Sequence, residues 1–92
     1  MAKLKKHQMY IGGEWVDPSS GDWFESFNPF TGKPWALFAE GNADDANRAV
    51  EAAKKALVSP EWRGLTATAR GHLLRRLGDL IAENSERLAE IE

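Results

Sequence analysis

Along residues 8–41 short apolar, β-prone runs are separated by Gly, Pro and polar turn residues, and beyond Gly41 the apolar positions recur at three- and four-residue steps. The first pattern is that of strands, the second that of helices. Trp23, Glu25 and Phe27 alternate with Phe24 and Ser26, and Trp35, Leu37 and Ala39 alternate with Ala36 and Phe38, so both runs read as strands. Between them, Asn28-Pro29-Phe30-Thr31-Gly32-Lys33-Pro34 can only be a turn. Asn28 hydrogen-bonds forward into the backbone, Pro29 fixes φ, and Gly32 takes the left-handed conformation that lets the chain re-enter a sheet. A smaller hairpin is predicted upstream, where Gln8-Met9-Tyr10-Ile11 and Glu14-Trp15-Val16 flank Gly12-Gly13. Asp17-Pro18-Ser19-Ser20-Gly21-Asp22 joins the two hairpins as a polar surface loop.

Asn42 is placed to cap a first helix, with Asp44 and Asp45 in the turn where the dipole favours negative charge. Ala46, Ala49, Val50, Ala53 and Leu57 form its buried stripe, and Asp45, Arg48, Glu51, Lys54 and Lys55 take the other side. Alanine at most of those positions predicts a helix lying flat against a sheet or a second helix. Ser59 and Pro60 predict one short helical turn that tucks Trp62 inward. Thr66 then caps a last helix whose stripe is Leu73, Leu74, Leu77, Leu80, Ile81, Leu88 and Ile91. Gly71 and Gly78 share one flank of it, either admitting a neighbouring backbone or simply tolerated. The apolar repeat still runs at Ile91, and Glu86, Glu90 and Glu92 crowd the turn where the dipole disfavours acids. The expectation is a segment cut from a longer polypeptide.

Composition narrows the picture. A chain of 92 residues, 42% apolar and 28% charged, supports one globular domain at most with a thin core. The fold class predicted is an α+β segment, two N-terminal β-hairpins followed by two amphipathic helices. Its organisation reads as a flexible basic leader over 1–7, a β-hairpin region over 8–41, and a helical region over 42–92 truncated at its C-terminus. A formal charge of −2 gives no general attraction to nucleic acid or to anionic lipid, so neither is expected as a partner. The absence of cysteine rules out a disulfide framework, a thiolate metal site and a cysteine nucleophile within these residues. Lys3, Lys5, Lys6 and His7 are followed by no apolar run that would serve as a signal core, so the leader reads as a solvated tail and the protein as cytoplasmic.

Catalysis by these residues alone would need a nucleophile with its base, a carboxylate pair in one pocket, or clustered metal ligands. None is present. His7 lies in the leader and His72 on the charged edge of a helix, without a spaced ligand partner. Asp44-Asp45 suits helix capping better than calcium, because the alternating oxygen ligands and the twelfth-position Glu are missing. Gly12-Gly13 lacks the further glycines and the following helix of a phosphate cradle. Arg70, Arg75 and Arg76 suit solvated ion pairs in a helix rich in Glu, with contact to a phosphate or a partner's carboxylate as the alternative.

The run Tyr10-Ile11-Gly12-Gly13-Glu14-Trp15, then Asn28-Pro29-Phe30-Thr31-Gly32, then Ala39-Glu40-Gly41 with Asp44-Asp45 and Arg48-Ala49-Val50 is similar to the amino-terminal segment of the NAD(P)-dependent aldehyde dehydrogenases. Trp62-Arg63 and the stretch from Arg70 to Leu80 continue the resemblance in order, and betaine-aldehyde members are the nearest in character. It implies an α/β enzyme, a homo-oligomer when complete, of which this segment is the start of the coenzyme-binding domain. It implies oxidation of an aldehyde to a carboxylic acid with NAD or NADP, through a cysteine thiolate, a water-activating glutamate and an oxyanion-holding asparagine. No catalytic or cofactor-binding residue maps onto these positions. One family feature does: a monovalent cation, potassium or sodium, held by main-chain carbonyls that correspond to Ser26 and Phe27 and by an acidic side chain falling just past Glu92. The same carbonyls are equally accounted for by pairing in the sheet.

A rival reading is a stand-alone interaction module that docks its long helix in a partner's groove, without enzymatic activity.

Overall fold

The computed structural model describes residues 3–92, which form two compact units, one reaching Leu57 and the other running from Val58 to Glu92. The helical region expected over 42–92 is therefore divided after its first helix, which belongs with the strands. In the first unit β1 (Lys5–His7), β2 (Met9–Ile11), β3 (Glu14–Val16), β4 (Trp23–Asn28) and β5 (Lys33–Ala39) precede α1 (Ala43–Leu57). The second unit holds α2 (Pro60–Arg63), α3 (Ala67–Glu83) and α4 (Ser85–Ile91).

Both predicted hairpins are present. β2 and β3 pair antiparallel with Ile11 opposite Glu14, leaving Gly12 and Gly13 as a two-residue loop. Their φ values of 63° and 81° are the left-handed pair that suits the twist of a hairpin. In the larger hairpin Asn28 lies opposite Lys33. The Asn28 side chain accepts from the Phe30 amide at 2.8 Å, and its carbonyl accepts from Gly32, whose φ is 70°. The forward hydrogen bond expected of Asn28 thus closes the turn.

The leader departs from expectation. Lys5–His7 is not a solvated tail but a strand, adding in parallel to β5 so that the sheet order is β1-β5-β4. His7 stacks on Phe38, with centroids 4.9 Å apart, and Lys6 sits over the Trp23 ring at 4.9 Å. A cation over an indole face and an aromatic stack are side-chain reasons for a polar tripeptide to join a sheet. Two exposed lysines on so short an edge strand also discourage further pairing. Residues 1 and 2 of the predicted leader lie outside the described residues.

α1 begins as predicted, with Asn42 Oδ1 accepting from the Asp45 amide at 3.0 Å, and it packs on β2, where Ala52 Cβ comes near Gly12. Its stripe is not buried within these residues: Ala46, Ala49, Val50, Ala53 and Leu57 are all exposed, and Asp45 is the buried side chain. Among the described residues Ala36 and Pro18 are the buried apolar ones, so the core is thinner still than the composition suggests.

In the second unit Thr66 caps α3, its hydroxyl accepting from the Ala69 amide at 3.1 Å. Trp62 is not tucked inward but 40% exposed. The last helix is two, because Asn84 leaves helical geometry (φ −108°, ψ 18°) and turns its side-chain amide back to the Leu80 carbonyl at 2.8 Å. That internal bond competes with helix continuation, and the Asn84 carbonyl then starts α4 by accepting from Leu88. Leu73, Leu74, Leu77, Leu80, Ile81, Leu88 and Ile91 all face solvent. Gly71 and Gly78 border open space among the described residues. No described helix is long and apolar enough to cross a membrane.

Candidate functional site

Ser26 and Phe27 lie in β4, and both pair with β5, Ser26 opposite Ala36 and Phe27 opposite Pro34. The ladder shifts by one residue between them, leaving Trp35 as the extra residue of a bulge. Trp35 sends its indole N–H to Ser26 Oγ at 3.0 Å, which fixes the bulge from the side-chain level. Pro34 brings no N–H to the ladder, so the Phe27 carbonyl receives no bond from the residue opposite it. Two neighbouring carbonyls at an interrupted ladder are hard, neutral donors of the kind that alkali cations accept. They do not make a metal centre by themselves, and no group of three His, Cys, Asp or Glu side chains that would hold a metal ion occurs among the described residues.

The other sequence candidates are dispersed. His7 is committed to the aromatic faces of Phe38 and, at 6.3 Å, Trp35. His72 is exposed on α3, as are Arg75 and Arg76. Arg70 reaches back with Nη1 to the Leu65 carbonyl at 2.9 Å and so closes the loop before α3 rather than awaiting an anion.

The polar centre that the structure does assemble is Asp45, 2% exposed. Its carboxylate accepts from Arg48 Nη2 at 2.7 Å, from the Asn42 amide at 3.1 Å, and through both oxygens from the Ser19 amide at 3.3 Å. The Arg48 guanidinium first, and then the Asn42 and Ser19 donors, hold its carboxyl at about 2, below the ordinary 3.8, against the opposing effect of burial. A carboxylate so paired is a fastener, not a proton carrier at neutral pH. It ties the loop after β3 to the start of α1 and forms a reciprocal capping box with Asn42. Placing Asp45 on the outer face of α1 missed this, although Asn42-x-x-Asp45 is the spacing of such a box. Beside it Met9, Ile11, Ala46 and Ala49 line an open groove of about 340 Å³ that contains no second titratable group. The groove therefore offers apolar contact and no acid–base pair.

Comparison with known proteins gives this scaffold its context. The model of the aldehyde dehydrogenase family matches residues 15–92. A (Z)-2-((N-methylformamido)methylene)-5-hydroxybutyrolactone dehydrogenase of Acinetobacter baylyi is 43% identical over 89 residues, covering 97% of this chain and 18% of that protein. An aldehyde dehydrogenase of Bacillus cereus superposes with a TM-score of 0.89 at 38% identity, over 94% of this chain and 18% of that one. A betaine aldehyde dehydrogenase of Staphylococcus aureus, solved with NAD+, superposes with a TM-score of 0.83 at 38% identity, over 95% of this chain and 17% of that one. The betaine enzyme thus stands among relatives of other specificity, and the chain spans less than a fifth of the length of the proteins it matches. The α+β segment described above is part of the aldehyde dehydrogenase fold, and the chain belongs to the aldehyde dehydrogenase family.

Proposed function

We propose that these residues are the scaffold of an NAD(P)-dependent aldehyde dehydrogenase whose reacting groups lie in other parts of a longer polypeptide. The observation that carries the reading is the superposition on the Bacillus cereus enzyme over nearly the whole chain, in a sequence that contains no cysteine. The complete enzyme would convert an aldehyde to a carboxylic acid, act in the cytoplasm as a homo-oligomer, and need neither nucleic acid nor membrane. When bound, the nicotinamide coenzyme supplies a hydride acceptor. The residues here do not fit it: Gly12-Gly13 closes an antiparallel hairpin and opens no helix, so its amides form no cradle for a pyrophosphate. The contribution of this chain is structural, and the exposed stripes of α1, α3 and α4 are faces for the rest of the enzyme. That placement favours a segment of an enzyme over a stand-alone helical module. Incubated alone with an aldehyde and NAD+ or NADP+, the 92 residues should form no reduced nicotinamide, and turnover proportional to protein would refute the reading.

The Ser26 and Phe27 carbonyls are proposed as part of a monovalent-cation site of the complete enzyme, supported by the bulge and by Pro34 opposite Phe27. Two carbonyls are a partial donor set for potassium or sodium, and the remaining ligands come from elsewhere. In an enzyme built on this segment, replacing choline by potassium at constant ionic strength should raise the melting temperature. Equal melting in the two salts would leave Ser26 and Phe27 with a pairing role only.

A further inference from the structure

We draw no further inference here: the strongest candidate, the aromatic face that His7, Phe24, Trp35 and Phe38 form on the three-stranded sheet, is an unpartnered apolar face, and nothing in the structure shows what covers it.

Discussion

Leu77→Ala should leave the 92-residue chain nearly unchanged and destabilise a complete enzyme built on it by about 2–5 kcal/mol. In the 92-residue chain Leu77 is 53% exposed, so truncating it removes little contact and opens no cavity. The change should stay within about 0.5 kcal/mol, as for a surface substitution. Where other elements cover the stripe, the same truncation forfeits the transfer energy of the lost methyl groups and leaves a void that neighbours only partly fill. Urea unfolding followed by circular dichroism reads both values. Arg76→Ala, on the polar side of α3, is the control and should be near neutral in both settings. Equal, small costs for Leu77→Ala in the two proteins would show that the stripe is a solvent face.

The second large effect concerns Asp45. Because its folded pKa of about 2 lies below the ordinary 3.8, the carboxylate contributes stability that is fully present above the ordinary value. That contribution is lost as pH falls through the interval from 3.8 to about 2, when protonation removes the acceptor shared by Arg48, Asn42 and Ser19. The Ser19 and Asn42 amide resonances should therefore shift together with a midpoint near 2, well below that of a solvated Asp. Asp45→Asn should abolish that titration and loosen the loop before β4, seen as faster hydrogen exchange at Ser19. A midpoint near 3.8 would mean that the fastener does not form in solution.

The features legible in the sequence share one property, that their causes are local. Gly12-Gly13 fixes a two-residue hairpin through its own φ values, Asn28 closes its turn two residues on, and Thr66 caps α3 three residues on. The features that were hidden depend on partners distant in sequence. Lys5–His7 has little strand character, and only the register with Ala36, Leu37 and Phe38 makes it one. Asp45 looks like a first-turn acid until Ser19, 26 residues away, is brought onto it. The periodicity of α3 and α4 correctly names the apolar stripe but not its fate, because period reports a face and says nothing of what covers it. The break at Asn84 is locally encoded, but the apolar repeat continues on either side of it and masks it.

The candidate cation site shows the same division. Its bulge rests on Pro34 and on the Trp35–Ser26 hydrogen bond, neither of which strand alternation reveals. Its carbonyls are main-chain groups, which carry no sequence signature of their own.

The most direct test of the scaffold reading is to exchange the segment. A Bacillus cereus aldehyde dehydrogenase in which these residues replace the matching stretch should remain soluble and oxidise an aldehyde with NAD+ at a rate within about tenfold of the parent, a loss of about 1.4 kcal/mol at most. A folded fusion that binds NAD+ yet oxidises no aldehyde would contradict the account, since it would place part of the chemistry in the residues exchanged.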